Sequence, residues 1–149
     1  MNNKPVEILL VEDNDDDVVL IKESFSKAKL INVLNVVQNG EEAMAYLRRE
    51  GKYQNARQPG LVLLDINMPK KSGLEVLSEV KSDPKLQHLP MIMLTSSERE
   101  EDIVKSYSCG ASSYITKPVE PEKLQQILKQ FELYWVIVSK IPAAKENNT

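Results

Sequence analysis

Apolar residues in this chain fall into five short runs separated by longer stretches with helical spacing. The runs are Val6 to Val11, the more mixed Val33 to Val37, Leu61 to Leu64, Met91 to Leu94, and the brief Tyr114 to Ile115. The segments ILLV and LVLL show no polar alternation, as expected of strands covered by helices on both faces. Between the first two runs, Val18, Ile21, Phe25 and Ala28 recur at helical spacing, which predicts a helix over Asp15 to Ala28. Asp15, Asp16 and Asp17 stand at its start, where the helix dipole favours carboxylates. Further helices are predicted over Glu41 to Arg49, Ser72 to Val80 and Ser97 to Ser108. The last starts near Glu120 and runs through Leu124, Ile127, Leu128 and Phe131. Lys52 to Gly60 reads as a long loop and Pro142 to Thr149 as a frayed tail.

Repeated βα units with short connections build a parallel sheet with helices on both faces. The expectation is therefore an α/β domain with a doubly wound, five-stranded parallel sheet. Ligand sites in such sheets lie beyond the carboxyl ends of the strands. That rule picks out Glu12 and Asp13 after the first strand, Asp65 after the third, Thr95 and Ser96 after the fourth, and Lys117 after the fifth.

Composition narrows the classes without changing this picture. With 149 residues, 42% of them hydrophobic, the chain is long enough for one well-buried domain. A net charge of −3 gives no basis for a nucleic-acid or anionic-membrane surface. One cysteine, Cys109, cannot form an intrachain disulfide. No stretch approaches the roughly 20 apolar residues of a membrane span, so a cytoplasmic protein is expected.

Three carboxylates gathered within about 5 Å repel by several kcal/mol per pair at an effective dielectric near 20. Such a cluster either raises a pKa or binds a cation, and an oxygen-only set suits a hard ion such as Mg2+. Lys117 adds a point charge suited to a phosphate, Thr95 a hydroxyl donor, and an Asp can take up a phosphoryl group as a nucleophile. Each residue alone is an ordinary cap, turn or strand end. Together, at these strand ends, they supply the parts of in-line phosphoryl transfer.

The blocks ILLVEDN, LVLLDINMP, MIMLTSS and YITKP resemble the signature blocks of response-regulator receiver domains, in family order over Val6 to Phe131. The resemblance implies a flavodoxin-like receiver fold over residues 5–131, with 132–149 as an extension. It implies Asp65 as phosphoacceptor from a sensor histidine kinase, and Mg2+ on Glu12, Asp13, Asp65 and the carbonyl of Asn67. Thr95 and Lys117 would bind the phosphoryl oxygens, and Tyr114 would be the switch aromatic that moves as Thr95 is drawn in. Pro69 is expected to keep the third helix from starting early, and Gly73 to permit backbone geometry that a side chain would hinder. The resemblance also makes Lys117-Pro118 a candidate cis peptide.

The segment FELYWVIV is apolar all round. Phe131 and Trp135 continue the stripe that faces the domain, while Leu133, Val136 and Ile137 turn away from it, with Tyr134 between. An apolar patch of this kind usually marks an association surface, expected to serve a homodimer together with the fourth helix, fifth strand and fifth helix, with a terminal β-branched strand or a bend that buries both sides in the same chain as the other readings. The extension resembles that of single-domain response regulators of bacterial phytochromes, which implies a photoreceptor kinase as partner. The stretch after Phe131 is too short for an output domain, so a protein contact is the expected output. Two other readings compete: a haloacid-dehalogenase-like phosphatase, which needs D-x-D-x-[TV] after its first strand where this chain has Glu12-Asp13-Asn14-Asp15, and a phosphorylation-independent dimeric scaffold. His88 and the run Glu98 to Asp102 read as solvated surface, and Cys109 as a small packing residue.

Overall fold

The computed structural model describes residues 7–28, 33–100, 103 and 112–129. Five parallel strands form one sheet: β1 (Ile8–Val11), β2 (Leu34–Val37), β3 (Leu61–Asp65), β4 (Met91–Thr95) and β5 (Ser112–Thr116), in the order β2-β1-β3-β4-β5. The helices are α1 (Asp15–Lys27), α2 (Gly40–Arg48), α3 (Gly73–Ser82), a helical segment that includes residues 98–100 and 103 (α4), and α5 at residues 121–129. The doubly wound α/β architecture is the one the apolar runs predict.

The alternation of side chains along each strand divides the core in two. Leu9, Val11, Val62, Leu64, Met91 and Met93 pack with Ala43, Met44 and Leu47 of α2 and Val76, Leu77 and Val80 of α3. Ile8, Leu10, Leu61, Leu63, Ile92, Leu94 and Ile115 face the other way, onto Ile21 and Phe25 of α1 and Leu124 and Leu128 of α5. Both faces are therefore covered, which is why these strands carry no polar alternation. Burying each Leu or Ile fully contributes about 1.5–3 kcal/mol.

Helices α1, α2 and α3 each start on a side-chain cap. Asn14 accepts from the Asp17 amide at 2.9 Å, and Asn39 from the Glu42 amide at 2.9 Å. At α3 a capping box closes: Ser72 Oγ accepts from the Glu75 amide at 3.3 Å while Glu75 accepts from the Ser72 amide at 2.9 Å. Ser72→Ala is expected to cost about 1 kcal/mol, measured as a lower urea midpoint at unchanged m-value. Helix α3 begins at Gly73, directly after that cap. Pro69 lies in the preceding turn, where its carbonyl accepts from the Lys71 amide at 2.8 Å.

Most element boundaries shift by one or two residues from the sequence expectation, and the following differences matter most. Strand β5 spans Ser112–Thr116, longer than Tyr114 to Ile115, because its flanking residues are polar yet pair in register with β4. Asp65 and Thr95 are the last residues of β3 and β4, not the first residues beyond them. The stretch from Lys52 to Gly60 is not all loop: Gly51–Tyr53 forms a 3-10 turn. Tyr53 accounts for it, since its ring packs at a tilt against Tyr46, centroids 5.2 Å apart, and its hydroxyl donates to Glu42. Cys109 and the association residues Phe131, Leu133, Tyr134, Trp135, Val136 and Ile137 lie outside the described residues.

Candidate functional site

Strand register assembles the site. Val11 of β1 stands opposite Leu64 of β3, so the next residues, Glu12 and Asp65, emerge side by side at the carboxyl edge. Thr95 stands opposite Thr116, which places Lys117 one residue beyond, its amide donating to the Thr95 carbonyl at 2.7 Å. The Lys117-Pro118 bond is cis.

Glu12, Asp13 and Asp65 each offer a carboxylate oxygen, all within 4.8 Å of one another. Glu12 is 1% exposed and Asp65 7%, while Asp13 is open to solvent. Burial comes first among the causes that push the Asp65 carboxyl up to about 7, and the Glu12 charge adds to it; Lys117 and the Asn67 amide pull it back. The Lys117 ammonium lies 2.8 Å from Glu12 Oε1, 2.9 Å from Asp17 Oδ2 and 3.5 Å from Asp65 Oδ1. Burial lowers its pKa, but these carboxylates more than offset that and raise it above the usual lysine value.

Glu12 Oε1 has charge compensation from Lys117 but, among the described residues, no hydrogen-bond partner in good geometry. A buried carboxylate oxygen in that state, beside two further carboxylates, suits a hard divalent cation. The residues present therefore fit a metal of that class.

Gly73 explains how α3 comes so close. A Cβ there would stand 2.2 Å from the Asp65 carbonyl oxygen and 2.8 Å from Ile66 Cα, and the Gly73 amide donates to the Ile66 carbonyl at 2.9 Å. The glycine is required for space rather than for an unusual dihedral. Thr95 is fully buried, its hydroxyl 3.5 Å from the Ile115 carbonyl and 3.4 Å from Thr116 Oγ1, both on β5. Tyr114 is half-buried against the core on the α2–α3 face.

Two residues at the site escaped the sequence reading. Asp17 was legible as a dipole partner on the first turn of α1 but not as a partner of Lys117. Glu100 belongs to a run expected to be solvated. Instead it accepts from the Ser96 amide at 2.7 Å and Ser96 Oγ at 3.0 Å, and from the Asn67 side-chain amide, which ties the β4–α4 connection to the loop after β3. Burial alone would raise its pKa; these donors lower it overall. The spacing Ser97-x-x-Glu100 was the available signal, and the Glu100 amide does donate to Ser97 Oγ at 3.2 Å. His88 is exposed, as expected.

A parallel sheet in this order, with an acidic cluster and a lysine at its carboxyl edge, defines a receiver-type α/β module. The chain belongs to the response regulator receiver domain family, whose model matches residues 8–129. It is 38% identical over 143 residues to the response regulator Rcp1 of Synechocystis sp., covering 96% of this chain and 97% of that one. The structure of the Mn(2+)-bound form of Rcp1 superposes with a TM-score of 0.71, at 38% identity, over 88% of this chain and 94% of that one. The phosphorylated cyanobacterial phytochrome response regulator RcpA is 46% identical, with a TM-score of 0.72 over 89% of this chain and 94% of that one. The bacteriophytochrome response regulator RtBRR is 40% identical, with a TM-score of 0.79 over 85% and 78%. Among the described residues, no helix is long and apolar enough to cross a membrane.

Proposed function

We propose that this chain is a two-component response regulator that accepts a phosphoryl group on Asp65 from a phosphohistidine of a sensor kinase. The observation that carries the reading is a nearly buried Asp65 flanked by Glu12 and Asp13 and faced by the Lys117 ammonium at 3.5 Å. An Asp65 oxygen attacks phosphorus, the P–N bond breaks, and its electron pair returns to the donor imidazole. Later a water attacks the same phosphorus, the P–O bond to Asp65 breaks, and phosphate leaves with the carboxylate restored. We assign Glu12, Asp13, Asp65 and the Asn67 carbonyl as the residues that would hold Mg2+; when bound, the ion neutralises charge on the transferred group. Lys117 and Thr95 bind the phosphoryl oxygens, with Lys117 as a fixed point charge.

The output reading follows from Thr95. Drawn toward a phosphoryl group, its hydroxyl gives up its contacts with Ile115 and Thr116 and leaves space at β5 into which Tyr114 can move. The α4–β5–α5 face is then the signalling surface, and two copies pair through it together with residues 131–137. The kinase is assigned as a bacterial phytochrome, because the relatives RcpA and RtBRR are described as phytochrome response regulators. Turnover is confined to the chain's own phosphorylation and dephosphorylation, in the cytoplasm where such a kinase presents its histidine.

Intact-mass spectrometry of the chain after incubation with acetyl phosphate and Mg2+ tests the reading. One added phosphoryl group is expected, mapped to Asp65 and absent when the metal is chelated. A group mapped to another residue, or none even with a cognate kinase, would overturn it.

A further inference from the structure

We infer that Asp17 is a positioning residue that holds the Lys117 ammonium back from the phosphoacceptor and so weakens the site's grip on a phosphoryl group. The inference rests on the phosphoacceptor reading of Asp65. Among the described residues, Lys117 pairs with three carboxylates, and two of them belong to the acidic cluster. Asp17 is the third and stands outside that cluster, on the first turn of α1.

The distances are unequal. Lys117 Nζ sits 2.8 Å from Glu12 and 2.9 Å from Asp17, but 3.5 Å from Asp65. Asp17 is also a fixed anchor, because the Asn14 cap holds its backbone amide at 2.9 Å. A cavity of about 240 Å3 lined by Asp17, Leu20, Ile21, Lys117, Pro118 and Val119 gives the lysine side chain room to be held to that side. A phosphoryl group arriving on Asp65 must therefore win the ammonium from Asp17, and it meets the repulsion of a carboxylate that shares the same cation. Removing the Asp17 charge eliminates both costs.

Beryllofluoride, a phosphoryl mimic, reads this directly when titrated calorimetrically into the full chain at saturating Mg2+. Asp17→Asn is expected to bind it about three- to tenfold more tightly than wild type. Asp17→Ser should gain at least as much, and Asp17→Glu should restore wild-type affinity. Asp16→Asn removes the same charge from the same helix turn at an exposed residue outside the Lys117 ion pairs, and should leave the affinity unchanged. A gain in affinity is not an effect that damaged packing produces. Equal or weaker binding by both Asp17→Asn and Asp17→Ser, or an equal gain in Asp16→Asn, would overturn the inference while leaving the phosphoacceptor reading intact. Failure of the wild type to bind beryllofluoride would overturn both.

Discussion

Asp65→Asn is expected to abolish phosphoryl uptake and, in the absence of metal, to make the protein more stable. The second effect follows from the direction of the Asp65 pKa. Its folded value of about 7 lies above the ordinary 3.8, chiefly because the carboxylate is buried and secondarily because Glu12 is beside it. A carboxyl raised on folding binds its proton more tightly in the native state. The native state is therefore least penalised below pH 3.8, loses stability as pH climbs, and carries the full penalty above about 7. A displacement of that size corresponds to about 4 kcal/mol at one isolated group. Lys117 and Glu12 share the charge, so a net gain on the order of 2 kcal/mol for the Asn variant is the expectation. Urea unfolding in chelator should show the variant well above wild type at pH 8, with the gap closing toward pH 4. Adding Mg2+ should close the gap from the other side, by stabilising wild type more than the variant. Equal stability of the two proteins at pH 8 in chelator would refute the account of Asp65 as a strained carboxylate.

Gly73→Ala should damage both the fold and the site. The added methyl carbon would lie 2.2 Å from the Asp65 carbonyl oxygen, 2.8 Å from Ile66 Cα and 2.9 Å from the Asp65 carbonyl carbon. All three are backbone atoms, so no rotamer change relieves the overlap. The ~1 kcal/mol by which Ala favours a helix over Gly offsets only part of it. A net loss of about 2–3 kcal/mol is expected, since β3 or the start of α3 must shift. Because the atom displaced belongs to Asp65 itself, its side chain moves relative to Glu12 and Lys117, and Mg2+ affinity should fall by about tenfold or more. Gly51→Ala is the comparison: Gly51 has φ +58° but nothing within 4 Å of the added carbon. It should cost about 1 kcal/mol through strain and leave the metal affinity unchanged. A Gly73→Ala protein with wild-type stability and metal affinity would refute the packing argument.

What could be read in the sequence was what local pattern and strand order specify together. Glu12 and Asp65 were legible because unbroken apolar runs end immediately before them, Lys117 because it follows the brief Tyr114 to Ile115 run by one residue, and a parallel sheet puts such ends on one edge. Gly73 was legible as a special glycine, but its reason was not: the contact is with the Asp65 carbonyl across a loop, and no periodicity encodes a distance. Asp17 was hidden by redundancy. Three successive aspartates all satisfy the helix dipole, and only the placement of β5 selects the one within reach of Lys117. Glu100 was hidden by its charged surroundings, since a carboxylate that satisfies three donors is written in the same letters as a solvated one. The turn at Gly51–Tyr53 was lost because its stabilising partners, Tyr46 and Glu42, lie on the preceding helix rather than in the loop.

One lysine side chain ties together β5, β1, β3 and the first turn of α1, through residues as far apart as Asp17 and Lys117. Strand β5 is last in the sheet order and, among the described residues, has only β4 as a strand neighbour. The ammonium is thus a clasp on an edge strand of the sheet. Thermodynamic reciprocity then applies between the two ends of that clasp. If a ligand at the carboxylates draws Lys117 inward and changes how β5 sits, a partner that grips β5 from outside must change the affinity for that ligand by the same factor. Signal receipt and signal delivery would be two measurements of one coupling constant, obtainable from either side of the molecule.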